Sequence, residues 1–147
     1  MKTEVMALFN GNIDKKDVDS ALKIMKKRKD LKIISSVQTG YEITLIDSAV
    51  NFADETGVRY CNTPAEEIPE RIIFVMTLLG KDNASKSYTY DKLREIIEHQ
   101  SYVYKWEFFM VTDEPSNAEA IGIGEQNLIS IIDGDLKTAT ELLIGRL

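Results

Sequence analysis

The chain has 147 residues, a length that fits one domain with a substantial hydrophobic core. Its 18 basic and 24 acidic residues give a net charge of -6, which argues against general nucleic-acid binding, because phosphate contacts need a basic face. No apolar run approaches the roughly 20 residues of a membrane span, and the single cysteine, Cys61, excludes an internal disulfide, so we expect a cytoplasmic protein.

Short apolar runs alternate along the chain with segments in which apolar residues recur at helical spacing. The runs predict strands at residues 5–9, 31–36, 72–76, 106–111 and 128–132. The periodic segments predict helices at residues 14–28, 42–58, 89–99 and 115–122, and from Asp133 or Asp135 onward. The run at residues 72–76 is apolar on both faces, which is typical of the middle of a parallel sheet. We therefore expect one α/β domain over residues 1–147: three layers, doubly wound and Rossmann-like, with a mainly parallel sheet of about five or six strands.

Two stretches carry residues that are more specific than generic α/β sequence. The first runs from Asp47 to Gly57 and continues through Pro64 and Pro69-Glu70-Arg71 into the strand that ends at Thr77. The second contains Asn83-Ala84-Ser85, Tyr88-Thr89, a helix that ends near Gln100, and Trp106-Glu107-Phe108-Phe109. In their order and spacing these segments, over roughly residues 40–124, resemble a bacterial and phage branch of the von Willebrand factor A (vWA) family.

The resemblance implies a metal-ion-dependent adhesion site at the carboxyl ends of the strands, and the sequence departs from that site at each of its segments. Family members bind magnesium with Asp-x-Ser-x-Ser, a Thr, and the Asp of Thr-Asp-Gly. With Gly11 aligned to the glycine between the two serines, the first Asp falls at Leu8 and the serines at Asn10 and Asn12. The Thr falls near Ile43 or Thr44, and Leu78-Leu79 follows Thr77 where Asp-Gly would stand. Neutral oxygens hold magnesium poorly without a carboxylate. We expect no cofactor, and magnesium would bind only if Asp82 or Asp113 replaces a lost ligand.

The resulting hypothesis is a non-catalytic, protein-binding module of vWA type that has lost its metal site. Its binding surface would consist of the carboxyl-end loops, with Asn10, Asn12, Thr44, Leu78, Leu79, Asp82 and Asp113 as candidate residues. If Leu78 and Leu79 are exposed, they form an apolar contact patch. We expect a protein partner or self-association, with no nucleic acid and no membrane. The segment before Gly40 is short for this family, which removes an edge strand and favours a homodimer through the open edge.

Two other functions stay open. Doubly wound sheets bind nucleotides and small ligands at the same crevice, as binding proteins or as enzymes. The sequence offers neither a Gly-rich phosphate loop nor an acid–base pair for this, since His99, the only histidine, has no identifiable partner. The third function, a structural component of a phage or prophage, follows from the family branch alone.

Overall fold

The computed structural model describes residues 2–147. Its five strands form one sheet in the order β2-β1-β3-β4-β5, and every neighbouring pair is parallel. The strands are β1 (Thr3–Gly11), β2 (Leu31–Thr39), β3 (Arg71–Leu79), β4 (Glu107–Thr112) and β5 (Leu128–Ser130). The predicted alternation of strands and helices is confirmed in the same order along the chain.

Five helices connect and follow the strands: α1 (Lys15–Lys26), α2 (Leu45–Cys61), α3 (Tyr90–Val103), α4 (Ser116–Ala120) and α5 (Leu136–Arg146). Short 3₁₀ turns occupy Ala65–Glu67 and Glu125–Asn127. The Thr89 side chain caps α3 by accepting the Lys92 N–H, and the Asp135 carboxylate caps α5 by accepting the Thr138 N–H. None of the helices within residues 2–147 has the length and apolar character needed to cross a bilayer.

The helices cover both faces of the sheet, which confirms the three-layer α/β architecture. Because side chains alternate along a strand, Met6 and Leu8 of β1 point toward the layer of α2, α3 and α4. Val5, Ala7 and Phe9 point toward the layer of α1 and α5. β1 and β3 are buried on both faces, as expected for central strands of a parallel sheet.

Four strands extend farther toward their carboxyl ends than their apolar runs predicted, β1, β2 and β3 by two or three residues and β4 by one. β2 continues to Thr39 and β3 to Leu79, because both pair with β1 as far as Gly11. Polar residues such as Asn10 and Gln38 thus lie in the ladder rather than in loops. This extension decides where several candidate site residues lie.

Candidate functional site at the carboxyl ends of the strands

The strand order places a topological switch point between β1 and β3. The chain leaves β1 for α1 on one face of the sheet and leaves β3 for α3 on the other. Open α/β sheets bind ligands in the crevice that this divergence creates. The loops at this end are residues 12–14, 40–44, 80–89, 113–115 and 131–135. A binding site is therefore expected at the carboxyl end of the sheet.

Asn10 occupies the centre of this end and is fully buried. Its Nδ2 donates to the Gln38 carbonyl at 2.9 Å and lies 3.3 Å from Thr44 Oγ1 and 3.4 Å from Ser48 Oγ. Its Oδ1 accepts the Thr44 N–H at 3.0 Å, and the Thr44 and Ser48 hydroxyls lie 2.9 Å apart. The side-chain amide of Asn10 thus donates to the Gln38 carbonyl and also toward the Thr44 and Ser48 hydroxyl oxygens, which could otherwise coordinate a cation. This arrangement satisfies the Asn10 amide without a metal ion.

Leu78 lies in the core rather than on the surface, so the exposure that an apolar patch at Leu78 and Leu79 would require is not present. Both Leu8 and Leu78 are 0% exposed and pack in the layer of α2 and α3. Leu79 is half-buried and packs against the opposite layer. The physical reason is that β3 runs to Leu79, so these leucines are strand residues that alternate between the two helix layers.

Asp82 is engaged in fixing a loop to the start of α2. Its Oδ2 accepts the Ile46 N–H at 2.9 Å and the Ser85 hydroxyl at 2.6 Å. Its Oδ1 accepts the N–H groups of Ala84 and Ser85 at 3.3 and 3.0 Å. Four donors thus use both carboxylate oxygens. A carboxylate at a helix amino terminus is also favoured by the helix dipole.

Asp113 and Asn12 have other local roles. Asp113 is exposed, and its Oδ1 accepts the Gly80 N–H at 3.0 Å. Asn12 has an exposed side chain, and its backbone N–H donates to the Leu79 carbonyl at 3.2 Å. Within residues 2–147 there is no group of three or more His, Cys, Asp or Glu side chains placed to hold a metal ion. The structure thus brings Asn10 and Thr44 into contact, while Asp82 binds its own loop and the start of α2, and Asp113 binds the Gly80 N–H.

Asp47 is a structural residue of this end that sequence reasoning missed as a site residue. Its carboxylate accepts the backbone N–H groups of Lys86, Ser87 and Tyr88 at 2.8 to 3.2 Å. Asn83 adds a further link, because its Oδ1 accepts the Ile43 N–H at 2.8 Å. An acidic residue in the first turn of a helix is a recognisable cap signal. The distant loop that it binds is not recognisable from the sequence.

Two glycines allow close contacts between neighbouring segments at the switch point. Gly11 has a φ of 94°, and a Cβ there would lie 2.1 Å from the Leu79 carbonyl oxygen. Gly80 has a φ of 99°, and a Cβ there would lie 2.6 Å from the Ile43 side chain. Both positions require glycine, since other residues would be strained in conformation and would clash. The two glycines let the β1 and β3 loops pack against their neighbours where a ligand would enter.

The outer surface of this end is polar, with a protruding aromatic side chain. Tyr41 follows β2 and is 86% exposed. Lys81, Lys86 and Asp113 are exposed in the neighbouring loops. Ile132, which follows β5 at the far edge of the sheet, is 69% exposed. Tyr41 is therefore the large apolar group that this surface offers beside the switch point.

A second polar cluster lies at the opposite end of the sheet, beside a cavity of about 660 Å³. Glu4 of β1 has a side chain only 1% exposed, and both its oxygens accept from the Arg59 guanidinium at 2.9 and 2.7 Å. The Tyr60 hydroxyl donates to the same carboxylate. Burial opposes ionisation of Glu4, but Arg59 and Tyr60 outweigh it and lower the pKa of the carboxyl. Burial and the Glu4 carboxylate raise the pKa of Tyr60. The three groups satisfy one another.

Comparisons of the chain with models of known protein families, with curated proteins and with solved structures gave no match. The evidence on function therefore comes from the residues at the two ends of the sheet. Of the two, the carboxyl end contains all the candidate residues of the sequence analysis. His99 lies elsewhere, exposed in α3, with its Nδ1 2.9 Å from the Gln100 side-chain oxygen.

Proposed function

We propose that this chain is a metal-independent, protein-binding domain of vWA type that binds its partner with the loop surface around Tyr41. The proposal rests on the contrast between a buried polar residue and an exposed aromatic one at the carboxyl end of the sheet. Its central polar residue, Asn10, is buried and fully hydrogen-bonded, while an aromatic side chain beside it is 86% exposed. Such an end is built to present a surface rather than to hold an ion.

The relation to the vWA family is part of the proposal. Three segments that the resemblance compares with metal-binding loops meet at one end of the sheet: Asn10 at the end of β1, Thr44 before α2, and Leu78 at the end of β3. The five-stranded sheet, in which β2 leads to α2 through residues 40–44, agrees with the loss of an edge strand. The Asn10 amide takes the place that a metal ligand would have in such a domain.

The chemistry of the end favours binding over catalysis. A general acid or base needs a free titratable group within hydrogen-bond reach of a substrate. Asp47 and Asp82 use their carboxylates to hold backbone N–H groups. The strand order, 2-1-3-4-5, is one in which phosphates bind at the β1/β3 switch point in other proteins. Here the loop that follows β1, residues 12–14, is short and contains no glycine, unlike a Gly-rich phosphate-binding loop, which argues against a nucleotide.

An exposed tyrosine on a polar surface suits a protein partner. Tyr and Trp are enriched among the residues that dominate binding energy, because they bury a large area at a low entropic cost. The loop that carries Tyr41 is held in place by the Asn83 side chain, which donates to the Tyr41 carbonyl at 3.3 Å and accepts from Ile43. The anchor is thus presented on a supported loop.

The proposal is tested by partner capture with a matched pair of variants. Tyr41→Ser removes the proposed anchor, and Tyr102→Ser removes an aromatic side chain that is 80% exposed in α3. Partners captured from the native source by the wild-type protein are measured again against each variant. We expect Tyr41→Ser to weaken binding about 10-fold or more and Tyr102→Ser to leave it unchanged. Equal binding by both variants would place the binding surface elsewhere.

Saturable stabilisation by a nucleotide would favour the alternative of a small-ligand-binding protein or an enzyme, because a ligand that binds the native state raises the unfolding midpoint. Ordered assemblies of the chain in its native source would favour a phage or prophage structural component.

A further inference from the structure

The two edges of the sheet differ in how they are protected. The β5 edge is three residues long, and the Arg146 guanidinium donates to the carbonyls of Gln126 and Leu128 beside it. Short edge strands and covering side chains are the usual means of preventing a sheet from pairing with another chain. The β5 edge is therefore a blocked edge.

The β2 edge is less protected among residues 2–147, although it carries Lys32 and the Leu31 N–H already donates to the Arg28 carbonyl. It is nine residues long, and each residue from Leu31 to Thr39 pairs with β1 in one unbroken register, without a bulge. It contains no proline, and Lys32 is its single charged residue. The one side chain bonded to its backbone is Asn10, on the Gln38 carbonyl. Alternate N–H and C=O groups along its outer side are open to an added strand.

We propose that a second copy of this chain pairs with the first through β2. The two β2 strands run antiparallel about a two-fold axis at Ser35, which joins the two sheets into one of ten strands. About this axis Ser35 opposes its own copy, Ile33 opposes Val37, and Leu31 opposes Thr39. Along β2, every second residue points its N–H and C=O toward the free edge. The two residues of each opposed pair are an even number of positions apart in the sequence, so a residue whose groups point to the free edge always meets another of the same kind.

The side chains of β2 complement their own copy in this register. Ile33 is half-buried and Val37 is 44% exposed, and the axis pairs them twice. Aliphatic β-branched pairs of this kind stabilise antiparallel strands. Lys32 opposes Gln38, so no like charges face each other across the axis. A two-fold axis at any other residue would leave part of the nine-residue strand unpaired, so this register gives the longest ladder.

The β2 interface would end beside the Tyr41 loop, because Tyr41 follows the last residue of β2 by two positions. A self-paired β2 would leave residues 80–89 and 113–115 free for a partner, because they follow β3 and β4 in the interior of the sheet.

Sedimentation equilibrium of the full chain tests the proposal first. We expect a mass of twice 16.6 kDa for the wild-type protein. Val37→Lys, at an exposed position that does not enter the core, should give a monomer with an unchanged circular dichroism spectrum. A wild-type protein that stays monomeric at every accessible concentration would overturn the proposal.

Cross-linking tests the register, in a Cys61→Ser background because Cys61 is exposed. Ser35→Cys places two thiols opposite each other across the axis, at a separation suited to a disulfide. Ser36→Cys is the matched control, because Ser36 opposes Ile34 in this register. We expect mild oxidation to convert Ser35→Cys to covalent dimer at least about five times faster than Ser36→Cys, in line with the steep dependence of disulfide formation on geometry. Equal or reversed rates would contradict pairing about Ser35.

Discussion

Asn10 is the residue on which the proposed metal-independent function depends most. An aspartate there could accept the Thr44 N–H but could not donate to the Gln38 carbonyl or to the hydroxyls of Thr44 and Ser48. Asn10→Asp should lower the free energy of unfolding by about 3 kcal/mol at neutral pH, because it buries a charge and orphans an acceptor. Urea denaturation measures the change.

Asn12→Asp provides the control, since Asn12 is exposed in the same loop. It should change the free energy of unfolding by no more than about 0.5 kcal/mol. An Asn10→Asp protein as stable as Asn12→Asp would mean that the amide network does not hold this end together.

Arg59 neutralises a carboxylate that is almost completely buried, so losing Arg59 should be costly. Arg59→Met leaves Glu4 in the sheet without its counter-ion and should cost about 3 kcal/mol of unfolding free energy at neutral pH. Arg71→Met breaks a similar two-bond pair with Glu107, whose side chain is 37% exposed, and should cost about 1 kcal/mol. Equal losses in the two variants would contradict the role of burial.

The ionisation of Glu4 also predicts how the free energy of unfolding depends on pH. In the wild-type protein the pKa of Glu4 is lowered from 4.5 in the folded state. Its contribution to stability is therefore complete above pH 4.5 and is lost as the pH falls through the lowered pKa. In Arg59→Met, only the Tyr60 hydroxyl and the Lys32 charge still oppose burial, so the folded-state pKa of Glu4 should rise above its wild-type value. The stability difference between the two proteins should thus shrink as the pH falls from 7 to 4, as measured by urea denaturation at each pH.

At the scale of elements, the period of the apolar residues predicted most of the fold. All five strands and five helices were predicted in order, because each buries a face with the spacing of its secondary structure. The strand ends were predicted less well. Hydrogen bonding to β1 extends β3 beyond its apolar run, which moved Leu78 from a predicted loop into the core. Pairing with a distant strand leaves no local mark in the sequence.

Asp47 of α2 holds the loop after β3 in place by accepting backbone N–H groups of that loop. This contact gives a prediction at the scale of elements. Asp47→Ala removes the acceptor for three backbone N–H groups and should cost about 1–2 kcal/mol. Amide hydrogen exchange of Lys86, Ser87 and Tyr88 should accelerate selectively. Asp54→Ala, at an exposed position of the same helix, should change neither quantity. Uniform acceleration across the protein would indicate general destabilisation rather than a released loop.

At the scale of the whole molecule, the sequence predicted the sheet, its layers and the end that carries the candidate residues. The loss of a metal site, which follows only from the resemblance to the vWA family, stays a prediction, and the sequence could not show the hydrogen bonds that Asn10 makes. The Asn10 bonds join residues 28 to 38 positions apart, and the exposure of Tyr41 depends on how three loops pack. Both are tertiary properties. The surface proposed for binding therefore emerged only when the loops were placed together.

The central claim is that the carboxyl end of the sheet works without a metal ion. Thermal unfolding of chelator-treated protein, with and without magnesium and then manganese, tests it most directly. An ion that binds the native state must raise the unfolding midpoint when it is well above its dissociation constant. We expect the same midpoint in all three conditions. A rise of several degrees that is lost in Asp82→Ala or Asp113→Ala would reveal a rebuilt metal site and contradict the claim.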